Sequence, residues 1–169
     1  MVDAAVLVPV YRGADGELRV IVIRRSDNGV HGGHLAFPGG KRDASDDSML
    51  DTALREAWEE IGLPASDIEI LAALPPVETR SSGFRVFPFV GRIARPVAWR
   101  RNGHEVAEIM DLSLAELIDA EVLDEDAESA AAGPQRAPYY RVGEYQLWGL
   151  TFRILRGLVP RLLAGEWKI

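Results

Sequence analysis

The sequence predicts an α/β (α+β) fold, in which β-strands are combined with two principal helices. Residues 4–11 and 18–25 are rich in valine and isoleucine, which favour strands. From Ser48, and again from Gly149, apolar residues recur at steps of three or four, which indicates helices with one buried face. A chain of 169 residues without a visible repeat or linker is the size of one domain, so we expect residues 1–169 to form a single domain.

The composition is that of a globular protein and excludes several kinds of site. Hydrophobic residues make up 47% of the chain and charged residues 27%, and the net charge of −7 argues against a nucleic-acid-binding surface. The absence of cysteine excludes a disulfide framework, a zinc–thiolate site and a thiol nucleophile. No apolar run approaches the ~20 residues of a membrane span, and the N-terminus lacks the basic leader of a signal peptide. We therefore expect a cytoplasmic protein with neither a nucleic acid nor a membrane as its partner.

A hairpin and a polar loop are predicted before the first helix. A glycine-containing turn at residues 13–16 joins the first two strands. Residues 24–34 are polar and glycine-rich, as is typical of a loop, and lead to a short strand at residues 35–37 and a Pro-Gly-Gly turn. Arg24 and Arg25 begin this loop; they either bind phosphate through charge-assisted hydrogen bonds or are ordinary solvated charges.

The first helix is predicted to begin near Ser48 and to end at Gly62. Asp46 or Asp47 can cap its start, and Gly62 followed by Pro64 is a stop signal. The apolar positions of its buried face are Leu50, Leu54, Ala57 and Ile61.

The acidic end of this helix indicates a ligand. Glu56 and Glu60 are four residues apart and share a face, and Glu59 lies beside them, so three like charges repel each other near the helix C-terminus. Arg55 can pair with Glu59 at i+4, which leaves Glu56 and Glu60 as two carboxylates that face the same place. A divalent cation held by carboxylates, water and substrate phosphates would relieve the repulsion. The alternative is a solvated acidic helix face.

The second half of the chain is predicted to add strands, a short helix and a long packing helix. Residues 75–83 and 95–103 carry turn-forming residues and are predicted connections. Residues 121–134 are acidic and alanine-rich and end in Gly-Pro, so we expect a mobile loop there. The predicted strands lie at residues 68–74, 84–93, 139–142 and 145–148, and the predicted helices at residues 114–118 and 149–163.

The segment from Phe37 to Leu63 resembles the Nudix box. Its last nine residues, REAWEEIGL from Arg55, fit the box pattern R-E-U-x-E-E-x-G-U, where U is apolar. Asp46 stands where the box usually has glutamate, and one extra residue separates it from Arg55. This longer spacing, the preceding FPGG and the TALREA sequence resemble the coenzyme A pyrophosphatase branch of the family. The resemblance implies the Nudix fold, a mixed β-sheet sandwiched between helices, and a pyrophosphohydrolase activity.

The same resemblance implies a site for Mg²⁺ or Mn²⁺. Glu56 and Glu60 would hold the cation, with Glu59 and the carbonyl of Gly40 close by. Arg55 would then hold Glu59 in place.

A further glutamate is implied outside the box. Nudix folds often have a Glu before a Val near the metals, as an additional ligand or as the base that activates water. Glu105 matches this position and Glu108 is the second candidate; a surface glutamate is the alternative reading.

The substrate implied by the resemblance is coenzyme A or a derivative, cleaved to 4′-phosphopantetheine and 3′,5′-ADP. We expect Arg24, Arg25, Gly39 and Arg80 to contact this substrate, although residues 75–83 can also be a simple hairpin connection. The branch signature upstream of FPGG is incomplete, since Ile23 replaces its threonine and its second arginine is missing. ADP-ribose or a nucleotide sugar is the second candidate substrate, and a non-catalytic nucleotide-binding module is the alternative from another class. Nudix proteins are often dimers, so a homodimer is a further partner to consider.

Overall fold

A mixed β-sheet forms the centre of the fold, and helices pack on both of its faces. The computed structural model describes residues 1–27, 33–79, 82–94, 99–122 and 138–169. The strands are β1 Val2–Arg12, β2 Leu18–Arg25, β3 Leu35–Ala36, β4 Gly39–Lys41, β5 Ile68–Ala73, β6 Val77–Glu78, β7 Phe84–Ile93, β8 Val106–Ser113, β9 Glu121–Val122, β10 Tyr139–Val142 and β11 Tyr145–Leu147. The α-helices are α1 Met49–Ile61, α2 Leu114–Asp119 and α3 Gly149–Leu163, and Ala65–Asp67 form a 3₁₀ turn.

Strand β1 lies at the centre of the large sheet. It pairs parallel with β7 over residues 2–10, antiparallel with β2 near its end and antiparallel with β4 near its start. The remaining strands extend the sheet, because β8 and β3 pair with β2, whereas β5 and β6 pair with β7. The predicted hairpin of the first two strands is confirmed, and strands β9 to β11 form a separate small sheet.

The alternation of side chains along the central strands creates two hydrophobic cores. Leu7 of β1 faces α1, whereas Val8 faces α3, because successive residues of a strand point to opposite faces. The core under α1 contains Ala53, Ala57 and Ile61, and all three are fully buried. The core under α3 contains Phe152, Leu155, Leu158 and Leu162. The predicted mixed sheet sandwiched between helices is thereby confirmed.

Helix α1 ends where the sequence predicts but is capped differently. The Ser48 hydroxyl, and not Asp46 or Asp47, accepts the hydrogen bond from the Asp51 N–H, at 3.1 Å. The capping prediction was wrong because Asp46 is buried and binds side chains further along the helix. At the other end Gly62 adopts φ 70°, a left-handed conformation that favours glycine, so the predicted stop is confirmed.

Other boundaries differ in detail from the sequence prediction. The predicted Pro-Gly-Gly turn contains a short strand, β4, in which a Cβ on Gly39 would lie 2.3 Å from the Ala5 carbonyl oxygen. Of the predicted loop at residues 121–134, the first two residues form β9 and the others lie outside the described residues. Helices α2 and α3 confirm their predictions. None of the described helices has the length and apolar character needed to cross a membrane.

Candidate metal centre and substrate cleft

Three carboxylates converge at one end of α1. Glu56 and Glu60 project from consecutive turns of the helix, and Glu105 precedes the first residue of β8. One oxygen of each residue lies within 4.8 Å of the others. Two predicted metal ligands and the predicted catalytic glutamate are thus brought together, whereas Glu108 lies outside this group.

Glu60 is the most buried member of the group, since its side chain is only 1% exposed. Its Oε1 accepts a hydrogen bond from the Gly39 N–H at 2.7 Å, and its Oε2 lies 3.5 Å from an Arg25 nitrogen. Burial raises the pKa of Glu60 to about 8, against the opposing effects of Arg25 and the Gly39 N–H. The carboxylate therefore gains from an additional positive charge near it.

Glu56 lies directly against the glycine strand β4. Burial is the main cause that raises the pKa of Glu56, and Arg55 opposes it. A Cβ on Gly40 would lie 2.6 Å from the Glu56 Oε1, so only glycine allows the backbone to approach this closely without a shift. The predicted metal-binding Gly40 is therefore adjacent to a predicted carboxylate ligand.

Arg55 links the helix to the loop before it. Its Nε and Nη2 each donate to one oxygen of Asp46 at 2.9 Å, and Nη2 also donates to the Lys41 carbonyl at 3.1 Å. Its Nη1 donates to Glu56 and Glu59, both at 3.1 Å. The i+4 pair with Glu59 was predicted, but the bidentate pair with Asp46 was not. The two hydrogen bonds from Arg55 hold the pKa of Asp46 well below its usual range.

Glu59 lies outside the group of three carboxylates. Its side chain is 46% exposed and pairs with Arg55, and the converging group does not include it. A direct contact between Glu59 and a metal stays a prediction.

The group of three carboxylates fits a divalent cation. Carboxylate oxygens are hard ligands of the kind that small divalent cations take, and here they come from two residues of α1 and from the residue before β8. The raised pKa values of Glu56 and Glu60 point the same way, because burial disfavours their charged forms and a bound cation would stabilise them.

A cleft with a volume of about 930 Å³ lies between the large sheet and α3. Gly39, Gly40 and Arg25 line it, and these residues contact Glu60 and Glu56, so the cleft adjoins the carboxylates. Its described lining includes no acidic residue, one histidine (His34) and four lysine or arginine residues: Arg25, Lys41, Arg153 and Arg156. Its apolar walls include Val6, Phe37, Phe84, Val86, Leu150 and Phe152.

The predicted substrate-binding arginines have different locations. Arg25 reaches the site, but Arg24 pairs with Glu108 at 3.4 Å and stacks on Tyr145, 5.2 Å from the ring centre. The two arginines separate because neighbouring residues of β2 point to opposite faces. Arg80 lies outside the described residues.

Sequence reasoning missed the basic residues of the cleft beyond Arg25. Arg153 and Arg156 are three residues apart on a mostly apolar helix, a spacing that places them on one side, and this signal was available. Lys41 is the last residue of β4, directly after its two glycines. A second cavity, of about 500 Å³, contains none of the predicted site residues and is lined by Arg12, Glu69 and Arg92, among others.

Comparison with known proteins identifies the family. Residues 1–133 match the model of the NUDIX domain. The chain is also 38% identical over 164 residues to an uncharacterized Nudix hydrolase, NudL, of Yersinia enterocolitica, a match that covers 94% of this chain and 80% of that protein. This chain belongs to the Nudix hydrolase family. A Nudix hydrolase of the same name from Yersinia pestis is 37% identical and is covered to 79% of its length.

Solved structures show the Nudix fold in the same way. The Nudix hydrolase RenU of M. smegmatis superimposes with a TM-score of 0.68 at 19% identity, covering 99% of this chain and 88% of that one. The NUDIX domain of NrtR from Shewanella oneidensis, solved in complex with ADP ribose, gives a TM-score of 0.62 at 18% identity, with coverages of 96% and 88%. A C. elegans Ap4A hydrolase gives 0.58 at 22% identity, with coverages of 70% and 85%. At these sequence identities, the similarity is evidence for a shared fold alone.

Proposed function

We propose that this Nudix hydrolase cleaves the pyrophosphate of coenzyme A or a derivative, giving 4′-phosphopantetheine and 3′,5′-ADP. The observation that carries the proposal is the cleft beside the carboxylates, which combines apolar walls with four lysine or arginine side chains and has no acidic residue in its described lining. The chain as a whole has a net charge of −7, so this basic lining is a local feature. Coenzyme A matches both features of the cleft: its polyanionic nucleotide suits the basic side chains, and its long uncharged arm suits the apolar walls.

The carboxylates would hold Mg²⁺ or Mn²⁺. Glu56 and Glu60 are the proposed ligands, the carbonyl of Gly40 is a further proposed ligand because Gly40 lies against Glu56, and Glu59 is a further acidic group nearby. When bound, such a cation neutralises charge on the pyrophosphate and lowers the barrier to attack by water.

Glu105 is proposed as the base of the reaction. Its carboxylate is exposed and lies within the same group, so it is accessible to water beside the pyrophosphate. It accepts a proton from the attacking water as the oxygen of that water bonds to phosphorus. The bond between phosphorus and the bridging oxygen breaks, the second phosphate leaves, and the proton returns to solvent. An additional ligand role for Glu105 is the alternative within the same site.

The remaining residues orient these groups and the substrate. Arg55 holds Glu56 and Glu59 through its hydrogen bonds and thereby fixes their orientation. Arg25 and Lys41 are the cleft cations that belong to β2 and β4 and are proposed to bind the phosphates. Gly39 is proposed to bind substrate through its position on the cleft wall.

ADP-ribose or a nucleotide sugar is the second candidate. It is supported by the similarity to the NrtR domain, whose structure was solved with ADP ribose. The apolar cleft walls favour coenzyme A over it, because ADP-ribose has a sugar where coenzyme A has its long arm.

Product analysis tests the proposal. Coenzyme A, ADP-ribose and a dinucleoside polyphosphate are incubated with the protein and Mg²⁺ or Mn²⁺, and Glu60→Gln is the control. The expected result is preferential formation of 4′-phosphopantetheine and 3′,5′-ADP, lost in the control. Preferential cleavage of ADP-ribose would refute the substrate but keep the metal-dependent mechanism. Equal cleavage by the wild type and Glu60→Gln would refute the metal centre.

A further inference from the structure

We propose that Asn102 is a positioning residue that fixes Glu105 beside Glu60. This inference rests on the proposed function, in which Glu105 accepts the proton of water. It concerns the turn at residues 102–105, which directly precedes β8 and is hydrogen-bonded to the end of α1.

The backbone of Asn102 connects two of the three carboxylate residues. Its N–H donates to the carbonyl of Glu60 at 2.9 Å. The last carbonyls of a helix have no partner within the helix, so this bond satisfies one of them. The carbonyl of Asn102 in turn accepts from the N–H groups of Glu105, at 3.1 Å, and Val106, at 2.8 Å. One residue therefore sets the separation between the backbones of Glu60 and Glu105.

The side chain of Asn102 shapes the turn itself. Its Oδ1 accepts a hydrogen bond from the His104 N–H at 3.1 Å, which is an Asx turn. On the opposite side, the Ser26 hydroxyl donates to the His104 carbonyl at 2.7 Å and the Ser26 N–H donates to the Glu105 carbonyl at 2.9 Å. Glu105 is thus held from the helix side and from the end of β2.

The Glu105 carboxylate has no other anchor within the described part of the chain. The hydrogen bonds and ion pairs found there involve its backbone and not its side chain. Its position beside Glu56 and Glu60 therefore depends on the shape of the turn.

The segment before the turn is itself fixed to α1. The Arg100 N–H donates to the Ile61 carbonyl at 3.2 Å, and the Arg100 guanidinium lies 4.3 Å from the centre of the Trp58 ring. A Cβ on Gly62 would lie 2.6 Å from the Arg100 Cβ, so the glycine permits this close contact. Movement of residues 99–102 relative to the helix is consequently restricted, and Asn102 transmits that restriction to Glu105.

A double-mutant cycle tests the proposal. Asn102→Ala removes the acceptor for the His104 N–H, whereas Asn102→Asp keeps an acceptor of the same shape, and each is made with and without Glu105→Gln. Initial rates are measured with Mg²⁺ on coenzyme A and on ADP-ribose. Gln146→Ala, which truncates an exposed amide on β11, is the matched control.

The expected result is a loss of activity that depends on the Glu105 carboxylate. Asn102→Ala lowers kcat about tenfold with KM nearly unchanged, Asn102→Asp recovers most of the loss, and Asn102→Ala has less than about a twofold effect when Glu105 is already Gln. The control retains full activity. A tenfold loss that persists in the Glu105→Gln background, or a rise in KM alone, would overturn the proposal.

Amide hydrogen exchange supplies a readout that does not depend on activity. Asn102→Ala is expected to accelerate exchange of the His104 and Glu105 amides, and Asn102→Asp to leave it near the wild-type rate. Unchanged exchange in Asn102→Ala would overturn the positioning role whichever substrate is cleaved. Full activity of Glu105→Gln alone would instead show that the proposed base is wrong. If Asn102→Ala does not fold, Ser26→Ala tests the same turn from the β2 side, with the same expected non-additivity.

Discussion

The ion pair between Asp46 and Arg55 makes a quantitative prediction for stability. Asp46 accepts four hydrogen bonds: two from Arg55 at 2.9 Å, one from the Thr52 hydroxyl at 2.8 Å and one from the Asp43 N–H at 2.9 Å. Asp46→Ala removes all four. Breaking a buried pair by removing one partner costs about 3–5 kcal/mol. Arg55 is a quarter exposed and keeps Glu56 and Glu59 as partners, so the lower end, about 3 kcal/mol, is expected.

Urea unfolding of the metal-free protein measures this loss. The urea midpoint should fall with little change in m-value. In thermal unfolding, about 3 kcal/mol corresponds to a fall in Tm of about 6–12 °C for a domain of this size. Asp47→Ala is the matched control, because Asp47 is the exposed neighbour of Asp46, and its expected effect is below about 0.5 kcal/mol. Equal losses for Asp46→Ala and Asp47→Ala would refute the assignment of Asp46 as the anchor of Arg55.

The pH dependence of the same pair has a defined sign. Since Arg55 lowers the pKa of Asp46 below the usual 3.8, the pair contributes its full stability above that value. The contribution is lost as the pH falls toward the lower pKa of the folded state. The difference between wild type and Asp46→Ala should therefore be constant from neutral pH to about pH 5 and shrink only in stronger acid.

Three further predictions concern the metal centre and the cleft. Burial raises the pKa of Glu60 to about 8. As the pH rises from about 5 to 8, the free energy of unfolding of the metal-free wild type should therefore fall relative to that of Glu60→Gln. Thermal unfolding in the presence of a chelator measures this difference. Gly40→Ala should weaken Mn²⁺ binding in calorimetry at least about tenfold, because its Cβ would displace Glu56, and unchanged affinity would contradict the close contact. Arg153→Gln should raise KM for coenzyme A about three- to tenfold, whereas Arg24→Gln, outside the cleft, should change KM less than about twofold.

Local pattern was sufficient to predict the principal elements. The apolar period predicted α1 and α3, and Gly62 marked the end of α1. The spacing of Glu56 and Glu60 likewise predicted that their carboxylates share a face, because four residues make about one helical turn. These features depend on residues that are close in sequence.

Features that depend on distant contacts were not predictable in this way. Asp46 was expected at the helix cap, but its competing partner is Arg55, two helical turns into the helix, and the nearer Ser48 caps instead. Arg24 and Arg25 were both predicted to bind substrate, but only Arg25 faces the site. The face of the sheet to which each side chain points depends on how β2 pairs with its neighbours. The basic cleft unites Lys41 with Arg153, which are more than 100 residues apart.

The two glycines of β4 lie between the cleft and the carboxylates. Gly39 and Gly40 line the cleft on one side and touch the carboxylates of Glu60 and Glu56 on the other, so the partition between the two spaces is a single backbone thick. In the proposed function, the phosphates would bind beside these glycines and the organic part of the substrate would lie against α3. Substitutions in α3 would then change the choice of substrate during evolution without displacing the carboxylates of Glu56 and Glu60.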